Sequence, residues 1–275
     1  MSQQHAPSSI LPDERRRVRP VVRVNKLVKR YDLVEAVRQV SLDVKPAQIY
    51  GLIGADGAGK SSLMKVIAGV LSHEEGEVQV LGQRIDSERQ AEKVKSAIGF
   101  MPQGLGLNLY PTLSIEENID FFARLRMVPP ERLRERKERL LEVTRLNAFR
   151  ARPAGQLSGG MKQKLGLICT LIHAPRLIIL DEPTSSLDAL SEEKVFGALK
   201  TLRQGRTTLV IAHRLSTIRD ADRILVLDEG TLVAQGRHDD LLAGNDLYRR
   251  MCARLSVGKS LDEPETVDEI LRVTR

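Results

Sequence analysis

The stretch Ile49-Tyr50-Gly51-Leu52-Ile53-Gly54-Ala55-Asp56-Gly57-Ala58-Gly59-Lys60-Ser61 joins a short apolar run to a complete G-x-x-x-x-G-K-[ST] loop. Ile49 to Ile53 reads as a buried strand. After the loop, Leu63, Val66, Ile67, Val70 and Leu71 recur at helical spacing, which predicts a helix opening at the loop's end. Strand, glycine loop and helix together are the context in which this motif cradles phosphate. Gly54, Gly57 and Gly59 let the backbone curl until successive N–H groups point at one anion, and the new helix aims its positive end at the same place. Lys60 would bridge the β- and γ-phosphates of a nucleotide, and the Ser61 hydroxyl would ligate Mg²⁺. Asp56 and Ser62 complete the nucleotide-binding set on this segment. A glycine-rich turn with a stray lysine would explain neither flank.

With 275 residues, the chain is long enough for one large α/β domain or a core with an attached subdomain. Its composition is that of a soluble protein, 41% hydrophobic and 29% charged with a mean hydropathy of −0.22. No apolar run approaches the roughly 20 residues that a membrane-spanning helix needs. The N-terminus is polar and then basic, without the apolar core of an export signal. Cys169 and Cys252 lie far apart with no metal or redox spacing, and Cys169 sits in an apolar stretch that reads as core, so a reduced, cytosolic chain is expected. The net charge of +7 would suit nucleic acid or an anionic surface. An aromatic content of 3% with no tryptophan argues against base stacking. Much of the positive charge is concentrated at Arg15, Arg16, Arg17 and Arg19 and in the helical stretch Arg132 to Arg139. Acids and bases interleave in that second stretch, which predicts a solvated face paired at i,i+4.

Residues 1–20 lack periodicity and read as a disordered basic tail. Strand signals follow at Val21 to Val24, Val37 to Val44, Val78 to Leu81 and Ile98 to Met101. From about Gly104 to Thr170 the pattern turns helical and charged, as an inserted helical subdomain would. Leu177-Ile178-Ile179-Leu180 is apolar throughout, which suits a central parallel strand buried on both faces. Thr208 to Ala212 repeats that character, Ile224 to Ala234 reads as a hairpin, and from Leu255 onward the chain is charged and peripheral. No internal repeat is evident, so one nucleotide-binding module is expected.

The strand Leu177 to Leu180 runs into Asp181-Glu182, and acids at the carboxyl end of a central strand lie beside a phosphate loop in a doubly wound sheet. Asp181 can hold Mg²⁺ and Glu182 can orient the attacking water. In Leu157-Ser158-Gly159-Gly160-Met161, Ser158 reads as an N-cap whose two following glycines leave the first N–H groups of a helix uncovered. That makes a second anion-binding terminus. Two chains packed head to tail, each lending Ser158, Gly159 and Gly160 to the other's γ-phosphate, would use both.

These segments, LSGGM with the phosphate loop before it and LIILDEP after it, resemble the ATP-binding subunits of ABC transporters, most of all those of bacterial multidrug-type exporters with a separate permease chain. The likeness covers nearly all of Val22 to Arg250. It implies an α/β fold: a RecA-like P-loop NTPase core with an N-terminal antiparallel β subdomain and an inserted α-helical subdomain. In that organisation residues 21–250 form the ATP-binding domain, with the helical subdomain at about 104–170, and 251–275 form a C-terminal tail. The resemblance further implies that Tyr31 stacks on adenine, that Gln103 senses Mg²⁺ and the attacking water, that Asp188 communicates across the dimer, and that His213 contacts the γ-phosphate. ATP and Mg²⁺ are the implied ligands. The implied partners are an integral membrane permease and a second ATP-binding domain, in a homodimer or heterodimer at the cytoplasmic face of the inner membrane, with no nucleic acid expected.

Some residues depart from the family's commonest pattern. Asp56 stands where asparagine is usual, Met161 where glutamine usually ends the signature, and Pro46-Ala47-Gln48 where Pro-Gly-Glu is frequent. Residues 51–170 look like exporters whose permease is a separate chain, whereas Thr207 to Leu242 looks like exporters with a fused membrane domain. A soluble ABC-type ATPase acting on ribosomes or nucleic acid is the alternative that the charge allows. The single ATP module, and the lack of room for coiled-coil or zinc insertions, speak against it.

Overall fold

The computed structural model describes residues 19–104, 108–183, 205–211, 215–256 and 261. Among these, two sheets stand out. The first is antiparallel, ordered β2-β1-β4-β5, from β1 (Val22–Tyr31), β2 (Val34–Val44), β4 (Glu75–Val80) and β5 (Gln83–Arg84). The second is ordered β10-β9-β3-β8-β7-β6, from β3 (Ile49–Ile53), β6 (Ile98–Met101), β7 (Leu177–Leu180), β8 (Thr207–Ile211), β9 (Arg223–Asp228) and β10 (Thr231–Gly236). All its pairs are parallel except the β9–β10 hairpin.

The parallel strands show why their sequences are apolar without alternation. In β7, Leu177 and Ile179 join one core while Ile178 and Leu180 join another, so successive side chains enter opposite layers. In β9, Leu225 and Leu227 face the first core and Ile224 and Val226 a third. The first core lies against helix α1 (Lys60–Ile67), helix α2 (Glu88–Lys95) and the antiparallel sheet. The second is closed by α3 (Ile115–Leu125), α4 (Pro130–Thr144) and α5 (Gly159–Leu171), the expected helical insertion. The third is closed by α6 (Leu215–Arg219), α7 (His238–Gly244) and α8 (Asp246–Ser256). Cys169 is buried in the second core, as its apolar neighbours predict, and burial pushes its thiol pKa up.

Local chemistry sets the element ends. Helix α3 opens on a capping box: Ser114 Oγ accepts from the Glu117 N–H and the Glu117 carboxylate accepts from the Ser114 N–H. Helix α1 closes at Ala68, and Gly69 at φ +70 turns the chain away, so Val70 is exposed although it continues the helical spacing. The basic face of α4 pairs outside its own helix as well as facing water. Lys137 Nζ lies 2.7 Å from Glu116 and 2.9 Å from Asp120 on α3, and Arg136 donates to the Ile172 carbonyl after α5. The expectation of local i,i+4 pairing therefore gives way to pairs that clamp three helices. Helix α8 runs across the boundary drawn at residue 250: Met251 and Cys252 are buried in the third core, so the packed unit continues to Ser256.

Candidate nucleotide site

Four neighbouring strands, β3, β8, β7 and β6, end in register along one edge of the parallel sheet, with Leu52 beside Ile211, Val210 beside Leu180 and Leu180 beside Met101. The phosphate loop follows β3, Asp181 and Glu182 follow β7, and Gln103 follows β6. The crevice outside the carboxyl ends of such strands is where ligands bind in this class of sheet.

The loop is held in shape from two sides. A Cβ on Gly59, at φ +90, would lie 2.0 Å from the Ala36 carbonyl oxygen on β2, and one on Gly54 would lie 2.3 Å from the Leu227 oxygen on β9. Ala36 and Leu227 thus set the curvature through their backbones, a role no side-chain pattern announces. At Gly57, φ is +78 and a Cβ would meet nothing within 4 Å, so the loop is open to solvent there. Lys60 is buried, its ammonium donating to the carbonyls of Gly54 at 2.9 Å and Ala55 at 2.8 Å, with Asp56 Oδ1 at 3.7 Å.

Ser61 Oγ donates to Asp181 Oδ1 across 3.0 Å, joining residues 120 positions apart. Asp181 is 1% exposed, and its second oxygen, Oδ2, is buried without a hydrogen-bond partner among the described residues. Burial pushes the Asp181 carboxyl above the ordinary carboxylate range, against the lowering effect of the Ser61 hydroxyl. A hydroxyl and an unsatisfied carboxylate oxygen are hard donors that fit Mg²⁺, which takes one or two protein oxygens and completes its shell with water and substrate phosphate. Beside them, Gln103 Nε2 donates to Glu182 Oε2 at 2.7 Å.

Tyr31 is 44% exposed, and its hydroxyl lies 3.2 Å from Ser62 Oγ, so its partly exposed ring stands at the first turn of α1. Its neighbour Lys29 was not singled out by sequence. Buried and paired to Glu74 at 2.7 Å, it places its ammonium 5.3 Å from the Tyr31 ring centroid and braces that ring. A lysine in a strand position that faces the core was the available signal. Ser158 caps α5, its Oγ accepting from the Met161 N–H at 3.3 Å; it is exposed, with Gly159 and Gly160 half-buried behind it. His213 and Asp188 lie outside the described residues; the strand that leads to His213 ends at Ile211 on the same edge.

The profile of the ABC transporter family matches residues 37–185. The multidrug ABC transporter ATP-binding protein YbhF of Escherichia coli, itself described as probable, is 36% identical over 219 residues, which cover 78% of this chain and 37% of that protein. The chain thus spans little more than a third of YbhF. The Nod factor export ATP-binding protein I of Ralstonia nicotianae is 32% identical over 81% of this chain and 69% of its own length. Among solved structures, a dimeric post-hydrolysis state of the ATP-binding cassette MJ0796 bound to ADP and Pi superposes with a TM-score of 0.72 at 27% identity, covering 78% of this chain and 98% of that one. With the phosphate loop, the Asp181 carboxylate and the Ser158-capped helix in place on this sheet, the chain belongs to the ABC transporter family, as an ATP-binding cassette with that family's ATPase fold.

Proposed function

We propose that this chain is the ATP-hydrolysing subunit of an ABC exporter, working as a head-to-tail pair of cassettes on the cytoplasmic face of the inner membrane and driving a permease carried on another polypeptide. The observation that supports it most is the meeting of Lys60, Ser61, Asp181, Gln103 and Glu182 at one sheet edge.

Their roles follow from their chemistry. The loop N–H groups and the α1 terminus would bind the β-phosphate. Lys60 would exchange its carbonyl partners for β- and γ-phosphate oxygens, and Tyr31 would stack on the adenine. Ser61 Oγ and Asp181 Oδ2 are the groups that would hold Mg²⁺, which when bound neutralises charge on the phosphate oxygens. Gln103 would orient Glu182, and Glu182 would accept a proton from the water that attacks the γ-phosphorus as the bond to the β–γ bridging oxygen breaks. The exposed Ser158 cap, with Gly159 and Gly160, would complete the partner's site, and closure of the pair would transmit force to the permease. Asp188 and His213 would act across the dimer and on the γ-phosphate. Among the described residues no helix is long and apolar enough to cross a membrane. The likeness to the Nod factor export ATP-binding protein supports an export role.

The test is affinity capture from detergent-solubilised membranes with tagged Glu182→Gln protein in ATP and Mg²⁺. A stoichiometric integral membrane protein is expected. Recovery of ribosomes or DNA-bound proteins with no membrane partner would overturn the proposal.

A further inference from the structure

Asp56 occupies the exposed turn of the phosphate loop, and its Oδ1 stands 3.7 Å from the Lys60 ammonium. The two side chains are in opposite surroundings, 68% exposed for Asp56 and 5% for Lys60. The ammonium already donates to the carbonyls of Gly54 and Ala55. Those acceptors are neutral; the carboxylate adds a full negative charge to the same cation.

We propose that Asp56 sets the affinity of the nucleotide site. It is a carboxylate built into the loop beside the Lys60 ammonium, and it opposes the phosphate that the same ammonium would bind. The inference rests on reading this loop as an ATP site.

The argument is electrostatic. A phosphate oxygen that claims Lys60 must come to a cation beside which a carboxylate already stands, so like-charge repulsion acts against each added anion. The loop's N–H groups and the α1 terminus attract the same anion, so Asp56 weakens binding without abolishing it. Two features limit its effect. Its side chain is largely in water, where charge pairs are weak. Next to it Gly57, at φ +78, is exposed with open space where a Cβ would lie, so the turn that carries the carboxylate is bordered by solvent. Asparagine at this position keeps the shape and one oxygen acceptor but removes the charge. The consequence is an affinity lower than the neutral loop would give, and one that salt raises relative to the neutral loop by screening the carboxylate.

Calorimetric titration of the full chain with the magnesium complex of AMP-PNP, a non-hydrolysable ATP analogue, tests this. Wild type, Asp56→Asn and Asp56→Ser would be compared at low salt and at about 0.5 M salt, with a thermal melt of each to establish folding. Both neutral variants are expected to bind about two- to tenfold more tightly at low salt, with the gap narrowing at high salt. Affinity that is unchanged or weaker in both variants overturns the proposal; weaker binding would make Asp56 a ligand of the metal instead of a competitor of phosphate. Binding by none of the three folded proteins would bring down the ATP-site reading itself, and this inference with it.

Discussion

Gln103 Nε2 donates to Glu182 Oε2 at 2.7 Å, tying together the loops that follow β6 and β7. Glu182 holds φ at +49, in the left-handed region that costs a side-chain-bearing residue about 1 kcal/mol or more. A strained backbone and a bonded carboxylate together aim one group at one place.

Replacing Glu182 by Gln keeps that shape and removes the proposed base. Turnover is expected to fall by about 10²- to 10⁴-fold while ATP binding is retained, read by phosphate release alongside nucleotide titration. Gln103→Ala should cost less, about tenfold, since it loosens the carboxylate without removing it. Undiminished phosphate release by Glu182→Gln would take Glu182 out of its role.

The glycines of the loop are separable by the space around them. Gly59→Ala combines φ +90 with a methyl carbon 2.0 Å from the Ala36 oxygen, so backbone must move, at a cost of at least about 2 kcal/mol. Gly57→Ala has only its φ of +78 to contend with, and about 1 kcal/mol is expected. Thermal melts should therefore place Gly59→Ala several degrees below Gly57→Ala. Equal melting points would mean that β2 yields freely to the loop.

Much of this was readable in the residues themselves. The run Leu177 to Leu180 has no polar face, and in the fold it serves two cores at once. The glycine loop, its flanking strand and helix, and the Ser158 cap follow from local rules and appear where those rules put them. What escaped was the particular bonds between distant parts. The Gln103–Glu182 bond spans 79 positions, and the salt bridges of Lys137 to α3 depend on how two helices pack. The continuation of α8 past residue 250 had a local signal, Tyr248, Met251, Cys252 and Leu255 at helical spacing, masked by the charged residues around it.

Acid should loosen the fold at His173. Its Nε2 lies 3.1 Å from the Ile98 carbonyl, and its Nδ1 is buried without a hydrogen-bond partner among the described residues. Burial, with the charges of Arg126, Arg136 and Arg206, brings its pKa down to about 4. The unfolded chain, with an ordinary histidine near 6.5, takes up a proton in the window between these values that the folded chain refuses. Stability from this group is therefore complete above about pH 6.5 and lost as pH falls toward 4, by no more than about 2–3 kcal/mol. Denaturant titrations of wild type and His173→Gln across that range should show a shallower acid loss in the variant; parallel curves would exclude His173 as the cause.

The proposed shared site makes a prediction at a residue that, among the described residues, hydrogen-bonds only to its own helix. Ser158 is exposed and caps α5 through the Met161 N–H, and in the proposed pair it faces the partner's nucleotide. Ser158→Arg removes the cap, worth about 1 kcal/mol, and places a long side chain where the second cassette must close. Hydrolysis is expected to drop by about 100-fold, the scale of losing one transition-state contact, while MgATP affinity of the monomer stays within about threefold, or 0.7 kcal/mol. Single-turnover hydrolysis and equilibrium titration on the same preparation separate the two quantities. Should the monomer lose its nucleotide as well, Ser158 would belong to its own chain's site, and the head-to-tail arrangement would lose its chief structural reason.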